Sequence, residues 1–120
     1  MLVEECHLAG KLFSGDWHDA KHAVDAREPA TGAVIAKVGY AGRDEIGQAA
    51  ARARLAHSDW AEGAPDARAA ILSAAARLAG EHAEEIIVWL MRESGSVRPK
   101  AEFELGITIK ALQLASGMPH

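Results

Sequence analysis

Alanine is the feature that most constrains the fold of this 120-residue chain, because 26 of its residues are alanine. Alanines make up close to half of all the hydrophobic residues, and aromatic residues contribute only 5% of the chain. A chain of this length normally buries about two thirds of the surface that its unfolded form exposes. With side chains this small, we expect closely packed helices, or apolar surface borrowed from a partner or from further sequence.

The charge and the single cysteine exclude several classes of protein. Lysine and arginine number 13 against 17 acidic residues, and no basic block occurs, so no nucleic-acid partner is expected. One cysteine, Cys6, rules out an internal disulfide framework and a cysteine-based zinc cage. The opening segment Met1–Gly10 carries Glu4 and Glu5 and lacks the pattern of a signal peptide, and no apolar run is long enough for a membrane span. We therefore expect a cytoplasmic, soluble protein.

The pattern predicts an α+β fold in a single partial domain over residues 1–120, with a strand and turn region at 1–41 and a helical region at 43–117. Short β-branched or aromatic runs between turn residues predict the strands, paired antiparallel. These strands are Lys11–Phe13, Trp17–His18, Ala23–Arg27 and Ala33–Val38. Apolar residues at helical spacing predict three helices. These run over about 43–57, over 66–94 with a bend at Gly80, and over about 99–116.

Side chains that carry chemistry do not form a recognisable catalytic, cofactor or metal motif. His18 and His22 are four residues apart and His7 is nearby, but in a strand and turn segment this spacing predicts surface histidines. Cys6 lies in a polar N-terminal segment without a positioned base, so we interpret it as an incidental thiol. Neither GxGxxG nor GxxxxGK[ST] occurs. The residues alone therefore predict no catalytic, cofactor-binding or metal-binding site.

The order of local motifs nevertheless resembles the N-terminal end of the aldehyde dehydrogenase family. The matching stretches look like the family's opening hairpin, its Asn-Pro-Ala-Thr-Gly-Glu-Val-Ile turn and strand, and its first helices. They are Leu12–Trp17, Glu28–Val38, Asp44–Ala53 with Trp60, and Pro65–Leu72. Arg92–Glu104 is especially similar to the benzaldehyde and vanillin dehydrogenase branch. Glu28 departs from the family, which usually has Asn before the proline, so the turn must be held differently.

The resemblance implies how a complete enzyme would use these residues. Its thiolate would attack the aldehyde, hydride would pass to NAD(P), and the thioester would be hydrolysed. The catalytic thiol, general base, oxyanion-hole Asn and nucleotide-binding unit lie beyond the stretch that this chain resembles, so we expect no activity from the chain alone. Phe103 and Ile107 would face the aldehyde tunnel with Gly106 leaving room, or they are ordinary core residues.

Two functions remain open from the sequence. In the first, the chain is the N-terminal portion of an NAD(P)-dependent aldehyde dehydrogenase that oxidises an aromatic aldehyde to its acid. In the second, it is a standalone, truncated and non-catalytic interaction or oligomerisation module. Helix faces that would cover a larger domain lead us to expect self-association, or pairing with a missing C-terminal portion. The residues expected to mediate this contact are Ile86, Leu90, Leu105 and Ile109.

Overall fold

The computed structural model describes residues 4–118, which form two compact units, residues 4–61 and 62–118. Five helices and four strands follow one another along this part of the chain. They are α1 (Glu5–Leu8), β1 (Lys11–Phe13), β2 (Trp17–Asp19), β3 (His22–Arg27), β4 (Val34–Tyr40), α2 (Arg43–Glu62), α3 (Pro65–Glu81), α4 (Ala83–Ser94) and α5 (Arg98–Ser116). The predicted α+β class, strands first and helices after, is confirmed.

Strands β1 and β2 form the predicted antiparallel hairpin, with Lys11 opposite Asp19 and Phe13 opposite Trp17. Gly15 has a φ of 80° in the connecting turn, a backbone conformation that glycine adopts without strain. Across the open end, Lys11 Nζ lies 2.5 Å from Asp19 Oδ1. This contact lowers the pKa of Asp19, first through the hydrogen bond and then through the lysine's charge. Local turn residues and this cross-strand pair therefore set the register of the hairpin.

Strands β3 and β4 pair antiparallel as a second two-stranded sheet, joined by a turn that begins at Glu28. The Glu28 carbonyl accepts hydrogen bonds from the backbone N–H groups of Thr31 and Gly32, at 3.3 and 2.8 Å. Its carboxylate also accepts a 2.6 Å hydrogen bond from the Thr31 hydroxyl. The Glu28 side chain thus ties the turn at the position where the family usually has Asn.

Strand β4 also packs closely against β1 within the same unit. A Cβ atom built on Gly39 would collide with the backbone carbonyl of Lys11 and with the Ala20 side chain. Gly10 N–H donates to the Lys37 carbonyl at 2.9 Å, beside this close approach. Only glycine fits where the two strands meet.

Helix α2 begins at Arg43, as predicted, and extends to Glu62, five residues beyond the predicted end at 57. Trp60 therefore lies within the helix rather than after it. At the start, the Glu45 carboxylate accepts hydrogen bonds from the backbone N–H groups of Gly42 (2.7 Å) and Lys21 (2.9 Å). These two bonds, the one from Gly42 first, lower the pKa of Glu45. None of the 20 helix residues is buried in the structure described.

Helices α3, α4 and α5 build the second unit around a small core. The buried side chains are Ala76 on α3, Ile87 on α4, and Ala101 and Leu105 on α5. Partly buried residues pack against this cluster: Ala79, Ala83, Ile86, Leu90, Met91 and Ile109. Small side chains on α3 and α5 allow the close helix packing expected from the alanine content. Of the four residues expected to mediate self-association, Leu105 is thus buried and the other three pack against the core.

The helix predicted over 66–94 is divided in two in the structure, which corrects the prediction of one bent helix. Helix α3 ends at Glu81 and α4 begins at Ala83, with His82 between them at φ −105° and ψ 22°. The break therefore falls two residues after Gly80, where the bend was predicted. The predicted glycine stop is confirmed, because Gly95 ends α4 with a φ of 70°. No helix within residues 4–118 combines the length and apolar character needed to cross a membrane.

Candidate functional site

The outer face of α5 carries three large apolar side chains that the second unit leaves exposed. Phe103 is 67% exposed, Ile107 is 52% exposed and Leu114 is 62% exposed. At 100° per residue these positions lie on the side of the helix away from Ala101 and Leu105, which are buried. Phe103 and Ile107 are one helical turn apart, which places their Cβ atoms about 6 Å from each other. They therefore form a continuous apolar surface that is open in this unit.

Gly106 lies on the flank of α5 between the exposed and the buried faces. A Cβ atom built on this glycine meets nothing within 4 Å in the structure. Its helical backbone does not require glycine, because positive φ occurs only at other glycines among the described residues. The absent side chain thus leaves open space beside Phe103 and Ile107.

A groove of about 570 Å³ runs beside this surface within the second unit. Its lining is mainly apolar and comes from α3, α4 and α5. The lining residues include Ala79, Ile86, Leu90, Leu105, Ile107 and Thr108. Ile107 therefore belongs both to the groove and to the exposed face, whereas Phe103 lies outside the groove lining.

The start of α5 is tied to the start of α4 by a two-pronged ion pair. Arg98 donates from both terminal guanidinium nitrogens to the Glu84 carboxylate, at 2.7 and 3.0 Å. This hydrogen bonding lowers the pKa of Glu84 and raises that of Arg98. A planar guanidinium on a carboxylate fixes direction as well as distance. The pair therefore links the first turn of α4 to the first turn of α5 at the surface of the second unit.

The histidines considered from the sequence do not come together. His18 lies in β2 and His22 in β3, and within residues 4–118 neither joins a group of three candidate metal ligands. Cys6 and His7 lie in the short helix α1, and Cys6 is exposed. The predicted tunnel residues share one helix, but their role in a tunnel stays a prediction.

The Glu84–Arg98 pair is the contact of this site that sequence reasoning missed. Its members are 14 residues apart across the loop between two helices, so neither helical nor strand spacing connects them. The clustered carboxylates Glu81, Glu84 and Glu85 indicate a solvated helix face from the sequence, and Glu84 is exposed in the structure as well as paired with Arg98. The groove had a partial signal in the apolar spacing of Ile86, Leu90 and Leu105.

Comparison with known proteins identifies the family of this chain. The sequence pattern of the aldehyde dehydrogenase family matches residues 17–120. The chain belongs to the aldehyde dehydrogenase family. Among its relatives, the vanillin dehydrogenase of Amycolatopsis sp. is 39% identical over 119 residues, which is 98% of this chain. The benzaldehyde dehydrogenase [NAD(+)] of Pseudomonas putida is 33% identical over 91% of this chain.

The fold agrees with solved structures of the same family. A crystal structure of an NAD-dependent benzaldehyde dehydrogenase from Corynebacterium glutamicum superposes with a TM-score of 0.85 and 31% identity over 92% of this chain. The match covers 25% of that protein, and 24% of the Amycolatopsis and 23% of the Pseudomonas relatives. This chain therefore spans about a quarter of the length of the family members that it matches.

Proposed function

We propose that this chain is the N-terminal portion of an NAD(P)-dependent aldehyde dehydrogenase that oxidises an aromatic aldehyde to its acid. The observation that carries the proposal is the coverage, since 98% of the chain matches 24% of a vanillin dehydrogenase. Arg92–Glu104 resembles the benzaldehyde and vanillin dehydrogenase branch, and two of the relatives are named as dehydrogenases of vanillin and of benzaldehyde. The complete enzyme, rather than residues 1–120 alone, would carry out the oxidation.

In this proposal the part of the exposed α5 face around Phe103 and Ile107 is one wall of the aldehyde tunnel. Phe103 and Ile107 offer an aromatic ring and a branched aliphatic side chain one turn apart, and Gly106 leaves space beside them. Ligand sites are lined mostly by apolar and aromatic side chains that exclude water. An aromatic aldehyde, which is flat and apolar apart from its carbonyl, suits such a wall better than a small polar aldehyde.

We expect no dinucleotide site among the residues that the structure describes. A pyrophosphate site needs free backbone N–H groups at a helix N-terminus behind a glycine-rich loop. Helix α3 begins at Pro65 and α5 has Pro99 in its first turn, and proline lacks an N–H. At α2, the Gly42 N–H already donates to Glu45. We therefore assign NAD(P) to the complete enzyme and predict no cofactor binding by these residues alone.

A standalone interaction module is the second candidate function. It is favoured by helix α2, which has 20 residues and no buried side chain, although Ile46 and Leu55 are large and apolar. Isolated helices of this kind depend on packing for most of their stability, so a covering surface is expected. In the enzyme hypothesis the remaining three quarters of the family fold supply that surface, and in the module hypothesis a second copy or a separate protein does.

A chimera separates the two functions. This chain replaces the matching quarter of the Amycolatopsis vanillin dehydrogenase, and formation of reduced cofactor is followed with benzaldehyde and with a short aliphatic aldehyde. The enzyme hypothesis predicts NAD-dependent turnover. A chimera that folds, as judged by circular dichroism, but has no turnover contradicts it. Stable self-association of the isolated chain, measured by light scattering, together with an inactive chimera would favour the module.

Substitutions within the chimera test the tunnel wall. We expect Phe103→Ala and Ile107→Ala to lower kcat/KM for benzaldehyde by about tenfold or more, because lost apolar contacts of this size are worth about 1–3 kcal/mol. The loss for the aliphatic aldehyde should be much smaller. Leu114→Ala, on the same face and almost two turns beyond Ile107, is the matched control and should change neither value. Equal losses for both aldehydes would show a structural role instead.

A further inference from the structure

A group of three different metal-ligand types lies in the first unit, outside the α5 surface. Ligand atoms of Glu4, Cys6 and His7 all lie within 4.8 Å of one another. Among residues 4–118 this is the one group in which three such side chains converge. The sequence alone predicts no metal site, because there His7 is considered with His18 and His22, which lie elsewhere in the fold.

The chemistry and spacing of the three ligands suit zinc. A thiolate, an imidazole nitrogen and a carboxylate oxygen bind Zn²⁺ at about 2.0–2.3 Å, so a tetrahedral site holds them about 3.4–3.6 Å apart. Cys6 Sγ already lies 3.7 Å from Glu4 Oε2. Within the 4.8 Å limit, the remaining atoms need to close by no more than about 1.4 Å. The two ligand anions would balance the charge of the ion.

The imidazole of His7 is held in place by its surroundings. Its ring stacks on Trp17 of strand β2, with the ring centroids 5.1 Å apart and the planes 9° from parallel. Nδ1 of His7 accepts a 3.2 Å hydrogen bond from the Glu4 N–H. The hairpin thus orients the ring of the third ligand, and metal binding would replace the Glu4 hydrogen bond. Ordering of the ligand by neighbouring contacts reduces the entropy that binding must overcome.

We propose that Glu4, Cys6 and His7 form a binding site for one Zn²⁺ ion, with water in the fourth position. This inference goes beyond the proposed function and does not depend on it, since no aldehyde or nucleotide takes part. Binding would release the thiol proton to solvent, because the thiolate is the form that coordinates the metal. The ion would hold Glu4, Cys6 and His7 together beside the stack of His7 on Trp17.

The test uses the reduced, metal-free 120-residue chain. Zn²⁺ is titrated by calorimetry, and Co²⁺ serves as a spectroscopic probe, because a sulfur-to-cobalt charge-transfer band reports thiolate coordination. We expect one ion per chain and a charge-transfer band that can arise only from Cys6, the single cysteine. Absence of the band, or no Zn²⁺ binding, would overturn the proposal.

Variants identify the ligands. Cys6→Ser should remove the band, and Cys6→Ser, His7→Gln and Glu4→Gln should each weaken Zn²⁺ binding by at least about tenfold. Glu4→Gln keeps the stack on Trp17 intact, so it remains informative if the histidine variant alters the fold. The control variants His18→Gln and His22→Gln should bind Zn²⁺ as the unchanged chain does. Binding that survives Cys6→Ser but is lost in a control variant would assign the metal to surface histidines.

Discussion

Two leucines on the same helix provide a matched test of the core in the second unit. Leu105 is 6% exposed and packs with Ile87 and Ala101, whereas Leu114 is 62% exposed. Leucine to alanine removes three carbons, each worth about 0.8 kcal/mol when buried. Scaled by exposure, Leu105→Ala costs about 2 kcal/mol from transfer alone, and the residual cavity adds to this. The same arithmetic limits Leu114→Ala to less than about 1 kcal/mol.

The cost of Leu105→Ala should lie near the lower end of the range for buried leucines, at about 2–3 kcal/mol. Leu105 borders the groove beside Ile107, so neighbouring side chains have room to relax into the space. Both variants gain the same helix propensity, so their difference isolates burial. The assay is urea unfolding of the whole chain followed by far-ultraviolet circular dichroism. Equal destabilisation by the two substitutions would refute the assigned orientation of α5.

Three further substitutions test local features of the fold. Hydrogen bonds to the Glu45 carboxylate, the one from Gly42 first, hold the pKa of Glu45 in the folded chain below its ordinary value of 4.5. The ionised carboxylate therefore stabilises the fold above pH 4.5, and this contribution is lost as the pH falls through the folded pKa. In Glu45→Gln we expect the fall in stability at acid pH to be less steep. Urea midpoints across this range measure it, and an unchanged slope would contradict it. Gly39→Ala should cost about 1–3 kcal/mol because the new methyl collides with the Lys11 carbonyl, and a neutral result in thermal unfolding would refute the close approach of β4 and β1. Gly106→Ala, in open helix, should instead stabilise the chain by about 0.5–1 kcal/mol, and a loss of stability would show that the open space is filled.

The strands were predictable because their signals are local. Ser14, Gly15 and Asp16 form a turn whose geometry depends on few neighbours, and Gly32 closes the next turn with a φ of 75°. The pattern of Glu28–Val38 carried both the turn and the family resemblance. What the residue types did not indicate is the way that the Glu28 carboxylate holds the turn, since this needs the position of the Thr31 hydroxyl.

The helices were predicted in kind but not in detail. Apolar spacing continues without a phase change from α3 into α4, so nothing in the pattern marks the break at His82. Both helices pack against α5, a tertiary contact that the apolar spacing does not report. Helix α2 continues to Glu62 because no strong stop signal occurs before Gly63, so the predicted end at 57 was too early. Helix α1 has only four residues, too few for any periodicity to show.

The candidate sites also differ in how far the sequence alone predicts them. Phe103 and Ile107 were selected by their resemblance to a family position, and the structure adds that both are exposed on α5. The Glu84–Arg98 pair joins residues across a loop and has no sequence signature. The Glu4, Cys6 and His7 group is local, but its convergence depends on a helical turn that a polar terminal segment does not predict.

The most direct test of the proposed function compares reduced-cofactor formation by the isolated 120-residue chain and by the chimera with the Amycolatopsis enzyme, at equal concentrations and with benzaldehyde and NAD. Calorimetric titration of the isolated chain with NAD accompanies it. We predict turnover by the chimera, and neither turnover nor saturable NAD binding by the chain alone. Turnover by the isolated chain that is abolished by Cys6→Ser would contradict this, because residues 1–120 would then contain a nucleophile and a cofactor site of their own.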